Sequence, residues 1–158
     1  MSKPLEVLLV EDDEDDVLLT REALKDSKVI VSMAVAQDGE EALKRLRRLP
    51  PFEAAPVPDL ILLDLNLPRV SGREVLKELK ADPVLKKIPV VVLTTSAADT
   101  DVLRCYDLGA NCYITKPVDF EQFQRIIKVI DEFWLTIVKL PRIEAQSRKP
   151  AKNNTSPR

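Results

Sequence analysis

Residues 60–68 read Leu60-Ile61-Leu62-Leu63-Asp64-Leu65-Asn66-Leu67-Pro68, four bulky apolar side chains followed by an acid and closed by a proline. A run this short, apolar at every position and without alternation, is the pattern of a strand buried on both faces. Upstream, residues 50–58 hold four of the twelve prolines and can form neither a helix nor a central strand, so they make an extended surface loop leading into the strand. Downstream, Gly72, Val75, Leu76 and Leu79 keep helical spacing, and Val90-Val91-Val92-Leu93 is a second run of the doubly buried kind.

Working outward, the same alternation covers the chain. Strands are predicted over Leu5–Val10, Val29–Ala36, Leu60–Leu63, Pro89–Leu93 and Asn111–Thr115. Between them Ala42, Leu43, Leu46 and Leu49 mark an amphipathic helix, and a further helix from Ala98 to Leu108 stops at Gly109. The last helix starts at Asp119, a plausible N-cap, and is expected to bury Phe123, Ile126, Ile127, Ile130 and Trp134. Strands separated by helices specify an α/β fold, a parallel sheet covered on both faces.

Composition narrows the chemistry. The 158 residues fit one domain, and 45% apolar with 32% charged residues is a globular balance. No stretch approaches the ~18 apolar residues of a membrane span, and the protein is expected in the cytoplasm, away from membranes. Cys105 and Cys112 are too few and too irregularly placed for a disulfide framework or a zinc site, so they read as reduced structural thiols. The absence of histidine removes a Ser-His-Asp triad, imidazole-ligated metals and a phosphohistidine donor role. The net charge of −2 conceals six basic residues against Glu144 from position 139 onward, which leaves the rest of the chain at −7. A folded part of that sign lacks the basic footprint of a nucleic-acid binder.

A parallel sheet brings its strand C-termini to one edge, where ligands bind. The polar residues fall there: Glu11 and Asp12 after the first strand, Asp64 after the third, Thr94 at the end of the fourth, Lys116 after the fifth. Carboxylates about 4 Å apart repel by roughly 4 kcal/mol at an effective dielectric near 20, so three in one crevice require a cation. An oxygen-only donor set without sulfur or imidazole favours Mg2+. Asp13 reads as a helix N-cap, and Glu14, Asp15 and Asp16 read as a solvated acidic first turn favoured by the helix dipole.

Leu8-Leu9-Val10-Glu11-Asp12-Asp13, Leu62-Leu63-Asp64-Leu65-Asn66-Leu67-Pro68 continuing to Gly72, Val92-Leu93-Thr94-Thr95-Ser96 and Tyr113-Ile114-Thr115-Lys116-Pro117 together resemble the signature blocks of response-regulator receiver domains, in the right order over residues 5–138. The resemblance implies a flavodoxin-like (βα)5 doubly wound sheet of strand order 2-1-3-4-5. It implies Asp64 as the phospho-acceptor, Asp12 as a direct metal ligand, Glu11 as a ligand through water, the Asn66 carbonyl as a further ligand, and Lys116 as the partner of the phosphoryl oxygens. Thr94 and Tyr113 match the hydroxyl and aromatic positions that move together on phosphorylation, and the resemblance favours a cis Lys116–Pro117 bond. Such a chain is no enzyme beyond accepting phosphoryl from a sensor histidine kinase and slowly losing it. A D-x-D phosphatase is disfavoured by Asp64-Leu65-Asn66, and an electron-carrying flavodoxin by an acidic run where phosphate would sit.

Residues 133–141, the proline-rich loop and Thr94-Thr95-Ser96 resemble the single-domain regulators paired with bacterial phytochromes, which points to a bacteriophytochrome as kinase. A relay role, passing phosphoryl on to a histidine phosphotransfer protein, stays open. Residues 1–140 are expected to form the domain, with 141–158 a basic disordered tail. In the last helix Ile126, Ile127, Ile130, Trp134 and Ile137 make one buried face, while Phe133, Leu135, Val138 and Leu140 add apolar groups at other angles. That surplus predicts a homodimer through the last helix and an arm after Pro141.

Overall fold

The computed structural model describes residues 3–143. Of the disordered tail expected over residues 141–158, everything beyond position 143 lies outside the described residues. The chain alternates β1 (Leu5–Val10), α1 (Glu14–Leu24), β2 (Val31–Ala36), α2 (Gly39–Leu46), β3 (Leu60–Leu63), α3 (Gly72–Ala81), β4 (Val90–Thr94), α4 (Asp99–Asp107), β5 (Cys112–Thr115) and α5 (Phe120–Ile130). All strands are parallel, in the order β2-β1-β3-β4-β5. Among the described residues no helix is long and apolar enough to cross a membrane.

Because side chains alternate across a strand, each apolar run feeds two cores. Leu8, Val10, Ile61, Leu63, Val90 and Val92 face Ala42 and Leu46 of α2, Val75, Leu76 and Leu79 of α3 and Cys105 of α4. Val7, Leu9, Leu60, Leu62, Val91 and Leu93 face Ala23 and Leu24 of α1 and Phe123, Ile127 and Ile130 of α5. Full burial of each Val, Leu, Ile or Phe side chain among them stabilises by about 1.5–3 kcal/mol. Four of the five α-helices start on side-chain caps, α4 being the exception: Asp13 accepts from Asp15 and Asp16 N–H, Asp38 from Glu41, Ser71 from Glu74 and Asp119 from Glu121. After α4, Gly109 takes φ 106°, a left-handed turn that suits glycine.

The end of the chain departs from expectation. After Ile130 the helix widens into a π-helix over Asp131–Ile137, with Val138 N–H donating to the Phe133 carbonyl five residues back at 2.8 Å. Widening shifts the phase of the apolar stripe, so Leu135 is buried and Ile137 stands 72% exposed, the reverse of the 3.6-residue reading. Arg142 and Ile143, the described residues after Pro141, lie against their own chain. Leu140 is buried, Ile143 packs on the core, and Arg142 donates to the Pro4 carbonyl at 2.8 Å and pairs with buried Asp59 of the same chain at 3.4 Å.

Candidate functional site

Register assembles the site. Val10 pairs with Leu63 and Leu63 with Val92, so the residues after them leave the sheet side by side. The order reverses at β1 and β3, the crevice where doubly wound sheets bind ligands. Asp64 N–H donates to the Val10 carbonyl at 3.1 Å, and Lys116 N–H to the Thr94 carbonyl at 2.6 Å, which extends the ladder by one residue on each side of the crevice.

One carboxylate oxygen each from Glu11, Asp12 and Asp64 lies within 4.8 Å of the others. Glu11 and Asp64 are buried and Asp12 is exposed. The donor set is oxygen only and carries three negative charges, which suits a hard divalent cation. Opposite them the Lys116 ammonium, only 5% exposed at its side chain, donates to Glu11, to Asp64 Oδ2 at 3.0 Å and to Asp16 Oδ2 at 3.0 Å. Asn66 N–H donates to Asp64 Oδ1 at 3.1 Å, a short-range bond that orients the carboxylate. Thr94 Oγ1 is fully buried at the same edge and has no hydrogen-bond partner among the described residues. The Tyr113 hydroxyl donates to the Ser96 carbonyl at 2.8 Å, tying β5 to the β4–α4 loop. The Ser96 hydroxyl donates to Asp101, which also pairs with Arg73 at 2.5 Å.

Glu11, Asp12, Asp64, Thr94 and Lys116 meet at this edge, Asn66 follows Asp64 there, and the Tyr113 hydroxyl reaches toward it from within β5. Two expectations fail. The Lys116–Pro117 bond is trans, the cis bond among the described residues being Pro50–Pro51. The lysine's four-carbon stem reaches the crevice from the end of β5 without it. Asp16, expected to be solvated, faces inward onto Lys116. Its spacing was the available signal: Asp16 stands four residues before buried Thr20 and seven before Ala23, on the buried stripe of α1.

Burial pushes the Glu11 carboxyl up to about 7, against the hydrogen bond and charge of Lys116. Burial would lower Lys116, but the hydrogen bond and charge of Glu11 and the charge of Asp64 outweigh it and hold the ammonium above the usual lysine range. Between about 4.5 and 7 the folded chain therefore keeps a proton on Glu11 that the unfolded chain has lost, so this group's contribution to stability falls as pH rises through that window. Lys116 stays charged throughout it and contributes no slope there. A divalent cation needs the unprotonated carboxylate. At ten times its Kd at pH 8, Mg2+ or Mn2+ is expected to stabilise by about 1.4 kcal/mol, raising Tm by about 3–6 °C. The same concentration at pH 6 is expected to give a clearly smaller rise in thermal melts. An equal rise at both values would remove Glu11 from the cation's ligands.

The chain and its fold have known relatives. Residues 7–128 match the family model of the response regulator receiver domain. The chain is similar to the response regulator Rcp1 of Synechocystis sp., 46% identical over 138 residues that cover 87% of this chain and 94% of that protein. Among solved structures it is similar to the phosphorylated cyanobacterial phytochrome response regulator RcpA. The identity is 49%, with a TM-score of 0.86, over 88% of this chain and 99% of that one. It is likewise similar to the Mn2+-bound form of Rcp1, 46% identical at a TM-score of 0.86, over 87% of this chain and 99% of the other.

Proposed function

The chain belongs to the response-regulator receiver family, and on that premise we propose that Asp64 accepts a phosphoryl group from the phosphohistidine of a sensor histidine kinase, with Mg2+ as the metal. The observation that carries this reading is the pairing of Asp64 Oδ2 with the buried Lys116 ammonium at 3.0 Å, on a carboxylate whose oxygens also adjoin those of Glu11 and Asp12. In the transfer the P–N bond of the donor breaks and a P–O bond to Asp64 forms, and the imidazole leaves with the electron pair. Protein catalysis of such a step is positioning and charge neutralisation. Asn66 N–H aims the carboxylate, and Lys116 turns N–H donors from the carboxylates onto the phosphoryl oxygens. Asp12, Glu11, Asp64 and the Asn66 carbonyl would hold Mg2+, which supplies neutralising charge. The unpartnered Thr94 hydroxyl takes a phosphoryl oxygen, and its shift releases or captures Tyr113 at Ser96, a local event that biases a two-state surface.

The likeness to phytochrome regulators supports a bacteriophytochrome as the kinase, acting in the cytoplasm. Leu18 on α1, and Val118 and Phe120 leading into α5, are exposed apolar side chains on segments that leave the site, suited to a docking partner. Exposed Phe133 and Ile137 on the terminal helix, with Leu103 and Tyr106 on α4, support a homodimer. The test is transfer from autophosphorylated kinases of the source organism to the full-length chain at short times, followed by light scattering. Fast transfer from a phytochrome kinase and a dimer mass are expected. Exclusive transfer from another kinase would overturn the partner, and a monomer at tens of micromolar in both phosphorylation states the dimer.

A further inference from the structure

Lys116 is surrounded by one carboxylate more than the proposed chemistry uses. An ammonium has three N–H donors, and here they go to Glu11, Asp64 and Asp16. Glu11 and Asp64 belong to the group of oxygens gathered within 4.8 Å, whereas Asp16 stands outside that group. When a cation and a phosphoryl group claim Glu11 and Asp64, Asp16 is the carboxylate left to the ammonium. Its position is well held. It sits in the first turn of α1, its N–H donates to the Asp13 cap at 3.1 Å, and its carbonyl accepts from the Thr20 hydroxyl at 2.7 Å. Its side chain is 26% exposed, so its attraction for Lys116 is partly shielded from water.

We propose that Asp16 is a positioning residue for Lys116, keeping one N–H engaged during phosphorylation so that the other two are aimed at the phosphoryl oxygens. This rests on the receiver reading of Asp64. A lysine tethered only by groups that the reaction removes would swing on four rotatable bonds, and the ordering would have to be met in the transition state.

A plain structural role for Asp16, complementing the helix dipole, is shared by Asp15, which is one residue away, equally charged, and not among the partners of Lys116. That makes Asp15→Asn the control. Phosphoryl uptake from acetyl phosphate is followed by intact mass at saturating Mg2+ for the full chain, Asp16→Asn, Asp16→Glu and Asp15→Asn, with thermal melts of each. Asp16→Asn is expected to lower the maximal rate about tenfold, the scale of a modest misplacement of a catalytic group, with little change in the half-saturating donor concentration. Asp15→Asn should stay within about twofold of the parent, and Asp16→Glu, which keeps a carboxylate, should recover part of the loss. The Lys116 ammonium signal in nitrogen-15 NMR, recorded without donor, should shift in Asp16→Asn and not in Asp15→Asn, a readout that does not depend on turnover. Equal losses in the two asparagine variants would reduce Asp16 to a helix-dipole residue, and no loss in Asp16→Asn would also overturn the proposal. Absence of uptake by the parent chain would instead overturn the receiver reading, and the Asp16 role with it.

Discussion

Asp64→Asn is expected to take up no phosphoryl group from either a phosphorylated kinase or acetyl phosphate, while remaining folded. The amide has no anionic oxygen to form the P–O bond, and it removes one of the three clustered carboxylates, so the nucleophile and part of the cation site go together. The fold should tolerate the change. Lys116 keeps Glu11 and Asp16 as partners, so no buried ammonium is left alone. The charge of Asp64 also helps to hold Glu11 in its protonated form, so removing it relieves repulsion between buried acids. Intact-mass measurement after incubation, beside thermal melts without metal, should show an unmodified variant whose Tm is no lower than that of the parent. Equal phosphorylation of variant and parent would place the acceptor elsewhere.

Gly72→Ala is expected to be the most damaging small substitution near the site. A Cβ at this position would stand 2.1 Å from the Asp64 carbonyl oxygen and 2.6 Å from the Leu65 Cα. Both are backbone atoms, so no side chain can turn aside. Gly72 N–H meanwhile donates to the Leu65 carbonyl at 3.0 Å, which holds the start of α3 against the residues that carry the acceptor. Overpacking of this kind costs about 1–3 kcal/mol, and a Tm lower by about 3–10 °C should follow. The relief available is to push α3 away from β3, which drags Asp64 with it. Displacement of a reacting group by about 1 Å slows a step on the order of 100-fold, so uptake should fall far more than stability alone explains. A variant with unchanged uptake would show that the close approach does not position Asp64.

Most of the fold and most of the site were legible in the residue order. Continuous apolar runs at Leu60–Leu63 and Val90–Leu93 can be satisfied only by strands covered on both faces, and helical spacing between the runs leaves a parallel sheet as the arrangement that buries everything. Once the strands are parallel, polar residues that follow them must meet at one edge. Glu11, Asp64 and Lys116 are therefore neighbours although 105 positions separate the first from the last. The breaks come where side-chain contacts, not spacing, decide. Asp16 looks like one more acid in a solvated turn until α1 is rotated onto the sheet, because α1 is only weakly amphipathic and its orientation depends on Thr20, Ala23 and Leu24 finding the core.

The amino-acid sequence by itself determined the strand and helix order, the doubly buried strands and the identity of the residues at the C-terminal edge, since these follow from local periodicity and from the geometry common to all parallel sheets. Tertiary structure alone decided the phase of the chain's end and the partners of its buried charges. The π-helical turn at Asp131–Ile137 exchanges Leu135 for Ile137 in the core, and Arg142 bends back to buried Asp59. Both outcomes are set by which long-range contacts best satisfy buried polar and apolar groups at once, and no window of sequence contains both members of those contacts.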